Sequence, residues 1–284
     1  MKIITSRVRY IINYLKIRYT TYKKIFGFVV KSQILKIKPK SNILKQVYSH
    51  SNSWSSRRIN LLINMLNKEI NYLEVGVNQG QTFIAVNAKN KWGVEPAPTF
   101  SLRNLPKGIQ IFKEKSDSFF TKLSFDVLFD VVYLDGLHEW SQTYRDLINS
   151  LNATSKDCFI IIDDVIPTDN FSSIPNQIKA LKSRWFSGLT GWNWHGDVYK
   201  ILFALDEFHP ELKTMTICDF EGNSQLIVWK KDKSQRTFNL KKEAAIKLSS
   251  LTYEDLFDKD GKPKGIELNN ESEAMDKIRE IISH

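Results

Sequence analysis

Between Tyr72 and Asp163 the chain alternates five short β-branched and aromatic runs with segments of helical pattern, and this alternation restricts the fold more than any other feature. The strand-like runs are Tyr72–Val77, Lys91–Glu95, Ile109–Lys113, Val127–Leu134 and Cys158–Asp163. Helical patterns lie near Gln81–Ala88, Thr99–Leu105, Asp117–Leu123 and Trp140–Leu151, and a further one covers Arg57–Lys68. Strands that recur with a helix between them form βαβ units, and the parallel sheet they build must be covered on both faces. Beyond them "GDVYKILFALDEF" reads as a helix, and "LKTMTICDF" and "QLIVWKK" read as strands joined at "EGNS", which predicts an antiparallel hairpin at the end of the sheet.

A chain of 284 residues can bury a full core. Its 42% hydrophobic and 25% charged content is that of a soluble globular protein, and its apolar runs are too short to span a bilayer. Cys158 and Cys218 match no metal or redox spacing, so both are expected as reduced thiols, consistent with a cytoplasmic location. The net charge of +10 is unevenly placed: residues 1–68 hold 15 of the 41 Lys and Arg and no acid, leaving 26 basic against 31 acidic residues in the remainder. The basic quarter interleaves Arg and Lys with Ile, Tyr and Phe. Three readings fit that pattern: a basic helical cap on the domain, contact of residues 1–40 with an anionic membrane surface at its inner face, or, less favoured, nucleic acid. Residues 1–56 are therefore set apart as an N-terminal extension, 57–232 as the main domain, and 233–284 as a charge-rich helical segment with a turn at "KDGKPKG".

Polar residues gather at the strand ends, where open parallel sheets bind ligands. The first strand runs into "EVGVNQGQT", in which Gly76 and Gly80 permit a sharp turn and a close backbone approach before a helix N-terminus. The second ends at Glu95, placed to accept hydrogen bonds from ribose hydroxyls. The third leads to Asp117, within reach of an adenine ring. The apolar fourth strand stops at "DGLHEW", with Asp135 and His138 crowded behind it. A third glycine of the dinucleotide fingerprint is missing, which disfavours a dehydrogenase.

In sequence, "EVGVNQGQT", Glu95, "SDS" and "VVYLDGLHEWSQTYRDL" resemble the class I S-adenosylmethionine-dependent methyltransferases, in particular those with an Asp-Gly-x-His signature after the fourth strand. The resemblance covers about residues 70–231 and implies a Rossmann-like, seven-stranded, mostly parallel sheet with a terminal antiparallel hairpin. It implies that Glu74 and Gly76 lie at the methionine end of the cofactor, with Asn78 in place of a frequent glycine, Glu95 on the ribose and Asp117 near the adenine, while Asp135 and His138 close the pocket. The fifth strand, "CFIIIDDVIP", then brings Asp163 and Asp164 beside Asp135. Three converging carboxylates call for a divalent cation, and oxygen ligands favour magnesium, manganese or calcium.

That constellation resembles metal-dependent O-methyltransferases acting on sugars of natural products and on catechols, in which Asp135 would be ligand and general base and His138 an alternative base. The loop "SGLTGWNWHGDVYK" offers Trp192, Trp194, His195 and Asp197 as an acceptor wall. The expectation is an S-adenosylmethionine-dependent, magnesium- or manganese-assisted O-methyltransferase acting on a saccharide or related small metabolite, with a homo-oligomer left open. The alternatives are a non-catalytic nucleotide-binding or docking protein and an RNA methyltransferase. Base methylation is disfavoured because "DGLH" stands where an Asn or Asp, two prolines and an aromatic residue would be expected.

Overall fold

The computed structural model describes residues 53–102, 105–219 and 223–283. The expectations for residues 1–40 lie outside the described residues. Helix α1, Trp54–Leu66, begins three residues before the expected Arg57 because the Ser53 side chain accepts the Ser56 N–H as an N-cap. It ends where Asn67 turns left-handed at φ 46°.

The strands are β1 Asn71–Val75, β2 Asn90–Val94, β3 Ile109–Phe112, β4 Phe129–Leu134, β5 Thr154–Ile162, β6 Leu212–Ile217, β7 Gln225–Lys230 and β8 Leu268–Asn269. They form one sheet in the order β3-β2-β1-β4-β5-β7-β6-β8. The first five run parallel, and β7 lies antiparallel to both β5 and β6. The expected α/β class and terminal hairpin are therefore observed, with eight strands rather than seven. The extra strand comes from residues 233–284, where β8 pairs in parallel with β6.

The connecting helices are α2 Gln81–Ala85, α3 Ser116–Lys122, α4 Trp140–Asn152, α5 Gln177–Phe186, α6 Lys200–Phe208, α7 Lys242–Ser250, α8 Tyr253–Leu256 and α9 Glu271–Ser283. Every residue of β4 is buried, because its alternating side chains meet two cores. Val132 and Leu134 join the face packed by α4 and α6 through Leu147, Leu151, Ile201 and Leu205. Val131 and Tyr133 join the face packed by α1 and α9 through Ile59, Leu62, Met275 and Ile278. The helix expected at Thr99–Leu105 is absent among the described residues. The segment instead begins by bonding across the loop, where the Thr99 N–H donates to the Asn78 carbonyl. Helix α5 has no counterpart among the helical patterns of the sequence; it starts where the Asn176 side chain accepts the Lys179 N–H.

Register decides where the strand ends fall. Val75 pairs with Val94 on one side and Leu134 on the other, and Leu134 pairs with Ile162. The first residues past these strands, Gly76, Glu95, Asp135 and Asp163, therefore line one edge of the sheet. Gly76 sits at φ 91°, and a Cβ there would lie 2.0 Å from the Asp135 carbonyl oxygen. Gly76→Ala is expected to lower stability by about 2–5 kcal/mol, combining the cost of a left-handed Cβ with that of overpacking. The urea unfolding midpoint measures this loss.

Candidate functional site

The strand-end edge opens into a cleft of about 990 Å³ reached by Glu74, Glu95, Asp117, Asp135, Asp163 and Asp164. Gly76, Asn78, His138 and Trp194 also line it. Nine of the ten site residues expected from the sequence line the cleft; the tenth, Gly80, does not, and serves as the left-handed N-cap that starts α2 at φ 77°. Asn78 is itself left-handed at φ 45°, so the loop accommodates an asparagine in the conformation a glycine would take at no cost.

On one side of the cleft Glu95 Oε2 accepts the Asn78 N–H at 3.0 Å, and Oε1 accepts the Ala97 N–H at 2.9 Å. These bonds fix the carboxylate and leave each oxygen a second lone pair to accept a further hydrogen bond. Asp117, in the first turn of α3, is held by Gln142 Nε2 at 3.1 Å and Arg145 Nε at 3.4 Å. Gln142 also donates to Asp146, whose burial pushes its carboxyl up to about 6.

At the other end, Asp135, His138 and Asp164 each offer a ligand atom within 4.8 Å of the others. Ligands about 2.0–2.4 Å from a common cation have separations in this range. His138 Nδ1 approaches Asp164 Oδ2 at 3.0 Å, but too obliquely for a hydrogen bond, so this buried nitrogen has no aligned donor or acceptor. Its Nε2 lies 3.9 Å from Asp135 Oδ1. Burial favours the neutral imidazole, yet the negative charges of Asp164 and Asp163 outweigh it and the His138 pKa is raised. Enclosure, then repulsion from Asp163 and Asp164, pushes Asp135 well above the usual carboxylate range. Asp164 adopts a left-handed φ of 60°, an unfavourable conformation for a non-glycine residue, which is often retained at working sites.

Asp163 is engaged differently from its neighbour. Tyr133 donates its hydroxyl to Oδ2 at 2.6 Å, Asn223 reaches the same oxygen at 3.2 Å, and Gln225 donates to Oδ1 at 3.1 Å. Gln225 also donates to Ser55 at 2.8 Å, so the network ties β5 to α1 and β7. Burial pushes Asp163 up to about 6. The triad of potential ligands thus contains His138 where the sequence suggested Asp163. Tyr133, Gln225 and Asn223 escaped the sequence reading because they sit far apart along the chain; the one available signal was a tyrosine hydroxyl inside an otherwise apolar strand.

The aromatic loop divides. Trp194 stacks on His138 with ring centroids 4.4 Å apart and planes 8° from parallel. His195 is buried with Nε2 3.8 Å from Asp164 Oδ1, and burial lowers its pKa. Asp197 accepts the Trp140 N–H at 2.8 Å, fixing the start of α4, while Trp192 meets Trp185 edge-on and does not line the cleft. Gly196 is required here, since a Cβ would lie 1.7 Å from the His138 carbonyl oxygen.

No family model matches the chain, and neither does any curated protein. Solved structures do show similarity. The Bacillus cereus O-methyltransferase in complex with SAH aligns over 71% of this chain and 96% of its own, at 15% identity and a TM-score of 0.42. SAH-bound methyltransferase PaMTH1 of Podospora anserina aligns over 73% and 96%, at 12% identity and a TM-score of 0.43. TomG of Streptomyces achromogenes, an O-methyltransferase of tomaymycin synthesis solved with SAM, aligns over 71% and 94%, at 10% identity and a TM-score of 0.41.

Glu74 lies buried beneath the cleft, accepting the Tyr72 hydroxyl at 2.6 Å. Burial raises its carboxyl from 4.5 to about 8, against the opposing pull of Tyr72 and Lys91. The folded protein therefore keeps a proton that the unfolded chain releases, so this contribution to stability is complete below pH 4.5 and is lost as pH rises toward 8. Asp163 and Asp146, each raised to about 6, share only the lower part of that window. Glu74→Gln is expected to flatten the decline in stability between pH 6 and 8, measured by urea unfolding at each end of the interval.

Proposed function

We propose that the protein is an enzyme that binds S-adenosylmethionine in the strand-end cleft and transfers its methyl group to a hydroxyl of a saccharide or related small metabolite. The observation that carries this reading is the alignment of Glu95, Gly76 and Asp135 along one sheet edge, with a carboxylate-imidazole cluster at its far end. That order, a ribose-type acid, a close-approach glycine and then a polar centre, is the one the sequence resemblance implies. The same resemblance supplies the saccharide class, supported by the aromatic surface that Trp194 brings to the cleft wall.

In this reading Glu95 takes the two ribose hydroxyls on its remaining lone pairs, while the Gly76 backbone lets the methionine end approach the sheet. Asp117, held by Gln142 and Arg145, lies at the adenine end. Asp135, His138 and Asp164 would hold a divalent cation. Two carboxylates and one imidazole suit manganese better than magnesium, because magnesium strongly prefers oxygen. When bound, such a cation lowers the proton affinity of an acceptor hydroxyl. Asp135, with its raised pKa, is the residue to take that proton, and Trp194 holds the His138 ring in place by stacking. Asp163 acts one step back: its bonds to Tyr133 and Gln225 anchor the strand end from which Asp164 projects.

The 3.0 Å charge contact of Asp164 with His138 Nδ1 favours a second reading, in which the carboxylate stabilises the imidazolium formed when Nε2 serves as a metal-free base. The docking-protein and RNA-methyltransferase alternatives would keep the cleft but not a small hydroxyl acceptor.

Calorimetric titration tests cofactor binding. Glu95→Ala should weaken S-adenosylmethionine by roughly 2–3 kcal/mol, the size of charge-assisted hydrogen bonds. Unchanged affinity in the folded variant would remove Glu95 from the site. Methyl transfer should stop after chelation and return with manganese, and Asp164→Asn should raise the metal requirement more than Asp163→Asn. Full turnover after exhaustive chelation would transfer the base role to His138, for which His138→Ala is the decisive variant.

A further inference from the structure

Nine large apolar side chains stand exposed among the described residues, and four of them fall between 178 and 192: Ile178 at 65%, Phe186 at 78%, Leu189 at 48% and Trp192 at 55%. Such a concentration on an otherwise polar surface marks an interaction face. Ile178, Lys182 and Phe186 recur every fourth residue along α5 and so form one stripe.

The loop after α5 folds back toward that stripe. The Leu189 N–H donates to the Arg184 carbonyl, and Arg184 Nη1 donates to the Asn193 carbonyl at 2.7 Å. Trp192 meets Trp185 edge-on at 5.2 Å, which brings Leu189 and Trp192 beside the C-terminal end of the stripe. These bonds make the loop an ordered part of the face.

Charge identifies the occupant. Residues 170–196 contain no Asp or Glu. The acid just before them, Asp169, is neutralised by the buried Arg184 through bonds of 2.7 and 2.8 Å. Lys179 and Lys182 are exposed beside the apolar residues. A self-associating second copy would bring a second set of the same lysines, and no acid from residues 170–196, into one interface. An anionic leaflet neutralises them and accepts the apolar side chains and the tryptophan at headgroup level.

From this juxtaposition of four exposed apolar side chains with two lysines that form no ion pair among the described residues we infer that α5 and the loop to Trp192 dock on an anionic lipid surface. The loop that carries Trp192 on this face reaches the cleft two residues later, where Trp194 is part of the cleft wall. An acceptor carried at the leaflet surface would thus be presented at the cleft mouth. That consequence rests on the methyl-transfer reading; the lipid contact does not.

Co-sedimentation of the full chain with vesicles of equimolar phosphatidylcholine and phosphatidylserine tests the contact, with pure phosphatidylcholine as the neutral comparison. Ile178→Ser with Phe186→Ser should lower partitioning at least about tenfold, since each loses an inserted apolar side chain. Lys179→Gln with Lys182→Gln should lower it on anionic vesicles and reduce the salt dependence, and these exposed positions leave folding intact even if the apolar pair does not. Both variants should bind S-adenosylmethionine as the parent does. Parental partitioning in both pairs would overturn the inference. So would a parental dimer, seen by sedimentation velocity, that the apolar pair dissociates without changing vesicle binding.

Discussion

The hydrogen-bonded ladder that holds β1 between β2 and β4 is the constraint on which the site depends. Gly76 donates its N–H to the Val94 carbonyl and Asp135 donates its own to Val75, so the ladder continues one residue past each strand before the chains diverge. That continuation is possible because Gly76 has no Cβ to strike the Asp135 carbonyl. A shift of one residue in register would turn every alternating side chain to the opposite face and carry Tyr133 away from Asp163. The two cores and the cleft are therefore set by one registration.

The second organising problem is charge. Glu74, Asp135, Asp163 and Asp164 crowd the same strand ends, where ionising all of them in partly dry surroundings would be costly. The fold answers in three ways. Glu74 is buried so deeply that it holds its proton near neutrality. Asp163 is surrounded by donors from Tyr133, Asn223 and Gln225. Asp164 is set against His138, whose imidazole is pulled toward its cationic form. Asp135 has neither a facing imidazole as near as that of Asp164 nor the donors of Asp163, only a 3.4 Å contact with Tyr133, and burial with the repulsion of Asp163 and Asp164 raises its pKa.

The network around Asp163 also explains why residues 233–283 matter to the cleft. Arg58, fully buried, bonds Glu271 at 2.7 Å and Gln225 at 3.1 Å. Because Glu271 begins α9, a helix far along the chain is tied through Arg58 and Gln225 to Asp163. The same economy operates on the opposite wall, where Asp197 caps α4 and Gly196 packs on His138, so the loop bearing Trp194 is fixed by backbone contacts as well as by stacking.

The sequence by itself determined the strand and helix alternation, the parallel sheet with its terminal hairpin, and the placement of Gly76, Glu95, Asp117, Asp135 and Asp164 at strand or helix ends, because each follows from local periodicity and the residue types that interrupt it. It could not foresee that Thr99 would spend its N–H on the Asn78 carbonyl, or that Leu268–Asn269 would join the sheet, because both outcomes depend on partners distant in sequence. Nor could it separate two adjacent aspartates. Asp163 and Asp164 look equivalent in "IIIDDV", and only the tertiary structure gave one to Tyr133, Asn223 and Gln225 and the other to His138, since Asp163 still continues the ladder by donating to the Leu134 carbonyl while Asp164 turns left-handed out of it.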